Sequence, residues 1–311
     1  MTPFKPGLVH TPVTPFKRDQ SIDFDAYARL IEFHLRHAAD ALALPMPEGE
    51  DLSLTDAEQR RLIEFAVKQV KGRVPVMANV SDAGTSIAVD RAIHAEKSGA
   101  AAIVSHPPYF WHPKPSMVVE HLARIGSAVR LPFYVVSPPV ESAGTALTTE
   151  IALELIERLP NLAGVVDASL DFVFMEEVIS NGQRLRPGFQ LLAGADFIVS
   201  ASALGGSGVF SPLSGIAPKL VRTLFELCSR DEFIEARQAQ EDIGALHHAI
   251  KEAGASGLMD GLAGLKTALV HMGRDCGLPR PPVRPLGEIE RGRLAATLAG
   301  MAFLRAEPRG W

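Results

Sequence analysis

Three ionisable side chains stand where a short apolar run gives way to a polar segment. Glu48 follows DALALPM, His106 lies near the end of AAIVSHP, and Asp196 follows FQLLAGA. Carboxyl and imidazole groups brought together can act as general acid and base, or can bind a hard metal ion. None of the three belongs to an HxH, HExxH or DxD motif. We therefore predict acid–base catalysis by Glu48 and His106, and no metal.

Tyr134 is a third candidate for proton transfer. In the run LPFYVVS it shares a strand face with Val136, one layer deeper, so its hydroxyl is predicted to point toward the protein interior. A buried tyrosine whose hydroxyl bonds a neighbour explains the same position without catalysis. Both interpretations of Tyr134 remain open.

Other polar residues near the apolar runs have simple structural explanations. Asp196 precedes the helical segment DFIVSASALG, which its side chain would cap. Asp167 alternates with Val166, which predicts a structural carboxylate facing away from the interior. His10 is as compatible with a structural role as with a functional one.

The segment GGSGVFS is rich in small residues, with Ser207 between Gly206 and Gly208. Backbone N–H groups left accessible by small residues can bind an anionic part of a substrate. Tight packing of the backbone explains the same residues. Substrate binding and packing therefore remain equally open for Gly206 and Ser207.

The elements that position these residues are eight short apolar runs, which alternate with segments of helical period. Eight nearly continuous apolar strands, each followed by a helix, predict an α/β protein with a closed parallel (β/α)8 TIM barrel. A doubly wound open sheet is the alternative, but the first strand–helix turn lacks a GxGxxG motif. The runs are GLVHTPV, DALALPM, VPVMANV, AAIVSHP, LPFYVVS, LAGVVDAS, FQLLAGA and SGVFSPL.

The helix after the second run has clear boundaries. Thr55 is a candidate N-cap, Glu58 completes a capping box, and Gly72 is the predicted stop. Active sites of such barrels lie at the carboxyl ends of the strands, which is where Glu48 and His106 are predicted to be.

The strand–helix alternation ends near residue 229. Three helical segments follow, at about 231–253, 257–274 and 287–305. We predict a barrel over residues 1–229 and, over residues 230–311, a three-helix C-terminal extension packed on it.

Composition narrows the class of protein. The chain has 311 residues, of which 47% are hydrophobic, and a net charge of -5, so neither a membrane nor nucleic acid is an expected partner. Its two cysteines are far apart and no export signal is visible, which predicts a cytoplasmic location. The expected partner is a small-molecule ligand, and no cofactor is expected.

Several motifs occur in an order that resembles one enzyme family. They are TPF, GE followed by SLTDAE, HPPYFWHP, LPFYVVSPP, NLAGVVDAS, GAD, ALGGSGVFS and, near the C-terminus, GLKTALVHMG. This set resembles the dihydrodipicolinate synthase / N-acetylneuraminate lyase superfamily of class I, pyruvate-dependent aldolases. The resemblance implies a barrel enzyme, commonly a homo-oligomer (dimer or tetramer), that holds a 2-oxo acid as a Schiff base on a lysine of strand six.

Val166 occupies the position that the resemblance assigns to this lysine. The family stretch G-[IV]-K-[ED]-[AS]-S matches Gly164 to Ser169. A valine has no amine with which to form an imine, and none of the nine lysines lies at a predicted strand end. We therefore predict that no Schiff base forms.

Other matched positions depart from the family as well. By the resemblance, Val136 replaces a proton-relay tyrosine, Pro47 a relay threonine, and Phe110 a tyrosine at the dimer contact. Glu141 aligns with an arginine that binds the substrate carboxylate. Acidic groups at Glu48 and Glu141 would repel an acid bound in the family's pose, which implies a changed ligand.

Two functions follow from these observations. The first is a lyase or aldolase-type barrel that acts on a small oxo acid or related metabolite without a Schiff base. The alternative is a catalytically silent paralogue with a ligand-binding or subunit-partner role. In either case we expect the ligand to contact Gly49, Glu50, Ser137, Gly206, Ser207, Val136 and Val166.

Overall fold

A closed barrel of eight parallel strands forms the centre of the protein. The computed structural model describes residues 4–139, 145–253 and 260–311. Each strand pairs with the next along the chain, and β8 pairs with β1, so the predicted (β/α)8 barrel is confirmed. Every predicted apolar run contains one strand: β1 Leu8–His10, β2 Ala41–Leu44, β3 Val76–Asn79, β4 Ala102–Ser105, β5 Phe133–Ser137, β6 Leu162–Asp167, β7 Gln190–Ala193 and β8 Gly208–Ser211.

Helices pack around the outside of this barrel. In the described ranges they are α1 Phe24–Arg36, α2 Asp56–Val70, α3 Thr85–Lys97, α4 Pro115–Ser127, α5 Thr149–Arg158, α6 Phe172–Leu185, α7 Ile198–Ala203 and α8 Pro218–Ser229. The predicted start of α2 is confirmed, because Thr55 and Glu58 form a reciprocal capping box. The helix ends at Val70, and Gly72 follows with a φ of 73°.

Two apolar cores lie on either side of the strands. Tyr134, Val136 and Val166 belong to the core inside the barrel, whereas Val135 and Val165 belong to the core between the strands and the helices. The strand residues alternate between these cores because successive side chains point to opposite faces. The inward direction predicted for Tyr134 is thereby confirmed.

Three helices follow the barrel: α9 Phe233–Ala253, α10 Asp260–His271 and α11 Glu288–Gly300. Gln240 of α9 accepts a hydrogen bond from the N–H of Val199 and donates one to the carbonyl of Asp196. The buried Arg274 donates to the carbonyl of Gly215. These contacts connect the helices to the barrel, while the exact boundary at residue 229 remains a prediction. Within the described ranges, no helix is long and apolar enough to cross a membrane.

Candidate functional site

The mouth of the barrel, at the carboxyl ends of the strands, has an apolar floor. Val136 and Val166 are neighbours in the register of β5 and β6, and both lie in one cluster with Val104 and Phe210. Val166 is only 1% exposed. The inward position on β6 therefore carries an isopropyl group packed among hydrophobic neighbours.

No lysine amine is placed at this floor. All nine lysines lie in the described ranges, and eight of them are exposed. The ninth, Lys266 of α10, is 2% exposed, and its Nζ lies 2.5 Å from Oε1 of Glu50. Burial lowers the pKa of Lys266, and the negative charge of Glu50 opposes this shift. Lys266 is therefore held in a buried ion pair.

Glu50 takes part in this structural contact with both carboxylate oxygens. Its Oε2 accepts the backbone N–H of Arg280 at 2.7 Å, in addition to the ion pair of Oε1 with Lys266. The side chain thus joins the loop after β2 to the C-terminal helices. The structure does not support the prediction that Glu50 binds substrate.

Glu48 lies at the mouth in a short 3-10 helix, Pro47–Gly49, directly after β2. Burial raises the pKa of Glu48 to about 7, and the nearby negative charges of Asp51 and Asp196 add to this effect. The carboxyl group is therefore partly protonated near pH 7 and able to donate a proton.

In the described part of the chain, no group of three or more His, Cys, Asp or Glu is arranged to hold a metal ion.

His106 follows β4 and is half-buried at the same end of the barrel. Its Nδ1 lies 3.1 Å from the hydroxyl oxygen of Ser81, and its backbone N–H donates to that oxygen at 2.9 Å. Burial lowers the pKa of His106 to about 4. The imidazole is therefore neutral near pH 7 and able to accept a proton.

Asn79 and Asp51 extend the contacts of His106 into the interior. Asn79 Oδ1 accepts the Ser81 hydroxyl at 2.5 Å, and its Nδ2 donates to Asp51 Oδ2 at 3.0 Å. Burial raises the pKa of Asp51 to about 6. The prediction of catalytic residues omitted Asp51, Asn79 and Ser81; their signal in the sequence is only that they lie at or just after the ends of strands two and three.

Tyr134 lies at the wrong end of the barrel for catalysis at the mouth. Its hydroxyl donates to the carbonyl of Phe4 at 3.2 Å, and the side chain of Gln190 donates to the same carbonyl at 2.6 Å. Phe4 precedes β1 and Gln190 begins β7, so this contact closes the amino-terminal end. The catalytic prediction for Tyr134 is therefore corrected to that of an inward filler with a bonded hydroxyl.

Ser137 faces away from the interior of the barrel. It is paired in register with Asp167, and its hydroxyl bonds to that carboxylate. Asp167 also accepts the Ser169 hydroxyl at 2.6 Å and the N–H of Leu170 at 3.2 Å. This geometry agrees with the structural role predicted for Asp167. It does not support substrate binding by Ser137.

Gly206 and Ser207 precede β8 and so lie at its amino-terminal end, away from the mouth. Their N–H groups donate to the carbonyls of Ala201 and Leu191, each at 2.8 Å. A Cβ on Gly206 would lie 2.7 Å from the Ala201 oxygen, which only a glycine avoids. The packing interpretation therefore replaces the predicted anion site.

Asp196 does not cap the helix that follows it. The N-cap of α7 is Phe197, whereas Asp196 Oδ2 accepts the N–H of Leu213 at 3.2 Å. Its Oδ1 is buried and has no hydrogen-bond partner in the described ranges. Burial raises the pKa of Asp196 to about 7. The capping prediction is corrected to a buried carboxyl group beside the end of β8.

His10 and Gly49 both have structural contacts near the mouth. His10 Nδ1 lies 3.0 Å from Nδ1 of His34 on α1, so its ring packs between strand and helix. Gly49 N–H donates to the carbonyl of Met46 at 2.7 Å, and its carbonyl accepts the Thr14 hydroxyl at 2.5 Å. With these backbone groups engaged, Gly49 shapes the loop beside Glu48, and its contact with a ligand stays a prediction.

Comparison with known proteins agrees with this architecture. The model of the dihydrodipicolinate synthetase family matches residues 5–301. The chain belongs to this family. It is 32% identical to the 4-hydroxy-tetrahydrodipicolinate synthase of Maridesulfovibrio salexigens, over 94% of this chain and 97% of that one. It is also 32% identical to an uncharacterized DapA-like lyase of Halobacterium salinarum, over 96% and 94%. A crystal structure of dihydrodipicolinate synthase superposes with a TM-score of 0.88 at 26% identity, covering 96% of this chain and all 100% of that one.

Two further residues, Phe110 and Glu141, were matched to family positions by the resemblance. Phe110, which the resemblance places at a dimer contact, is 96% exposed and has a φ of 81°. A positive φ is rare for a bulky residue and directs this ring out of the loop after β4. Glu141, matched to a carboxylate-binding arginine, lies outside the described residues.

Proposed function

We propose that this family member is a lyase or aldolase-type enzyme that acts on a small oxo acid or related metabolite without a Schiff base, with His106 and Glu48 moving the protons. The observation that carries the proposal is this pair at the mouth, an imidazole that is neutral near pH 7 and a carboxyl group that is partly protonated there. Groups whose pKa values are moved apart by their surroundings are suited to act as base and acid.

The proposed reaction is cleavage of a carbon–carbon bond next to a carbonyl group. The neutral His106 accepts the proton of the β-hydroxyl group as the carbon–carbon bond breaks. The electron pair of that bond moves toward the carbonyl oxygen, to which the protonated Glu48 donates, giving an aldehyde or ketone and an enol. In place of an iminium ion, Glu48 supplies the electrophilic assistance.

A catalytically silent paralogue is the second candidate. It is supported by the apolar floor of Val136 and Val166 and by the position of the Tyr134 hydroxyl at the opposite end. A protein that only binds a ligand or pairs with another subunit tolerates such a mouth. This candidate predicts ligand binding without catalysis of proton transfer.

We also propose that the protein is a homo-oligomer, either a dimer or a tetramer. A ring as exposed as that of Phe110, beside the partly exposed Trp111, is suited to be covered by a second copy. Light scattering after size-exclusion chromatography measures the mass directly. A mass equal to the monomer's 33.4 kDa would contradict this proposal.

Exchange of carbon-bound hydrogen for deuterium tests the enzymatic proposal. Pyruvate, hydroxypyruvate and dihydroxyacetone are incubated with the protein in D2O, and proton NMR follows the signals next to the carbonyl. We expect faster exchange of at least one probe than in buffer alone. His106→Gln should slow it roughly hundredfold, whereas His94→Gln, whose ring contacts Glu64 of α2, should leave it unchanged. No exchange with any probe would contradict the proposal and favour the silent paralogue.

The pH dependence of this exchange separates the two roles. The rate should rise as His106 loses its proton near pH 4, because a base must be unprotonated, and fall as Glu48 loses its proton near pH 7. Glu48→Gln should remove the upper limb of the profile, because glutamine does not titrate. A profile of Glu48→Gln that still falls near pH 7 would exclude Glu48 as the acid.

A further inference from the structure

The orientation of the Asn79 side-chain amide follows from two backbone groups. Nδ2 lies 2.8 Å from the carbonyl of Pro45, which can only accept a hydrogen bond. Oδ1 lies 3.1 Å from the N–H of Ser81, which can only donate. If the amide nitrogen and oxygen were exchanged, the nitrogen would face the Ser81 N–H, which is also a donor, and the oxygen would face the Pro45 carbonyl, which is also an acceptor. Asn79 Oδ1 therefore faces Ser81 as an acceptor.

The hydroxyl hydrogen of Ser81 is consequently directed toward Asn79. The two oxygens, Ser81 Oγ and Asn79 Oδ1, are 2.5 Å apart, and the amide oxygen carries no hydrogen. A hydroxyl group has one hydrogen to donate and two lone pairs that accept. Both remaining contacts of Ser81 Oγ must therefore use it as an acceptor.

Those two contacts both come from His106. Its backbone N–H occupies one lone pair, and Nδ1 approaches the other at 3.1 Å. Since Ser81 has no further hydrogen to give, Nδ1 must carry one itself. In a neutral imidazole only one ring nitrogen is protonated, so Nε2 is left with its lone pair.

We infer that Ser81 and Asn79 are positioning residues that hold neutral His106 in the Nδ1–H tautomer and leave Nε2 as the base at the mouth. His106 continues the inward alternation of Ala102 and Val104, which places its ring above the barrel interior. The role of Nε2 as the base rests on the proposed function. The tautomer is a property of the folded protein alone.

The surroundings hold this chain of hydrogen bonds in place. Asp51 Oδ2 accepts the second amide hydrogen of Asn79 at 3.0 Å, and the Arg91 guanidinium donates to the carbonyl of Ser81. Asn79, Ser81 and Asp51 are all buried. Buried networks in which each member is satisfied restrict the side chains to one arrangement.

Nitrogen NMR of protein labelled with 15N-histidine tests the inference. Coupling between ring nitrogens and ring protons shows which nitrogen carries hydrogen, and the signals missing from His106→Gln identify residue 106. We expect Nδ1–H in the wild type near pH 7. An Nε2–H tautomer in the wild type would overturn the inference, whatever the protein's activity.

Two variants test separately the hydrogen bond between Asn79 and Ser81 and that between Ser81 and His106. Ser81→Ala removes the acceptor of the Nδ1 hydrogen, and Asn79→Ala frees the Ser81 hydroxyl to donate to Nδ1. Both should shift His106 toward Nε2–H and slow deuterium exchange roughly tenfold. Ser105→Ala is the matched control, because among the described residues that hydroxyl bonds the His106 carbonyl, at 3.0 Å, and not its ring.

The outcomes separate this inference from the proposed function. An unchanged tautomer in both Ser81→Ala and Asn79→Ala would overturn the positioning role. The expected tautomer changes, combined with an exchange rate equal to that of buffer in every protein, would instead contradict the enzymatic proposal and with it the role of Nε2 as a base.

Discussion

At the scale of single residues, a carboxyl group buried without a cation costs folding free energy when it is ionised. Asp196 is 1% exposed, and its pKa is raised to about 7 by burial. In an unfolded chain the same group has a pKa of about 3.9. Its contribution to stability is therefore fully present below about pH 4 and is lost as the pH rises through 7.

Replacing Asp196 by asparagine should remove this pH dependence. The stability difference between Asp196→Asn and the wild type should depend on pH. We expect the unfolding free energy of the variant, relative to that of the wild type, to be about 2 kcal/mol higher at about pH 8.5 than at about pH 5, because the amide never has to ionise in the interior. Urea unfolding of both proteins at the two pH values gives this difference. An equal effect of the substitution at both values would show that Asp196 ionises at its ordinary pKa.

The sequence was informative about individual positions where residue type alone decides the chemistry. Val166 cannot form an imine in any conformation, and Glu48 and His106 follow their strands at the mouth as predicted. The hydrogen bonds that connect Asp51, Asn79 and Ser81 could not be derived in this way. Their formation depends on rotamers and on two loops meeting, which sequence spacing does not determine.

At the scale of elements, the buried pair of Glu50 and Lys266 connects the loop after β2 with α10. Both side chains are almost completely buried. Removing one partner from such a pair leaves the other charge without compensation, which typically costs about 3 to 5 kcal/mol.

Single and double substitutions at this pair should reveal its role. We expect Glu50→Gln and Lys266→Met each to lower the unfolding free energy by about 3 kcal/mol, and the double variant to lose less than the sum. Chemical denaturation of the four proteins measures the coupling. Additive losses would contradict the structural pairing and return Glu50 to the set of candidate ligand contacts.

Strand alternation correctly predicted whether a side chain points into or out of the barrel. It did not predict the position of that side chain along the barrel axis. The inward direction of Tyr134 was correct, but its hydroxyl is at the amino-terminal end. Gly206 and Ser207 were predicted to contact the ligand although they precede β8. A period of two residues reports the face of a strand and carries no information about which end a side chain approaches.

At the scale of the whole molecule, the family scaffold is retained, and we propose that the chemistry of its mouth differs. The barrel and the three C-terminal helices were predicted because their signals repeat along the chain and support one another. Function resides in a small set of side chains placed on such a scaffold. The absence of an amine at Val166, combined with His106 and Glu48 at the mouth, supports the proposed route, which does not use the imine of pyruvate-dependent aldolases.

Reductive trapping followed by intact mass measurement tests this central claim most directly. The protein is incubated with pyruvate and borohydride, beside a family member that retains the strand-six lysine as a positive control. We predict an unchanged mass for this protein and a reduced pyruvyl adduct on the control. An adduct on any lysine of this chain would contradict the imine-free account, and its position would identify the amine that reacts.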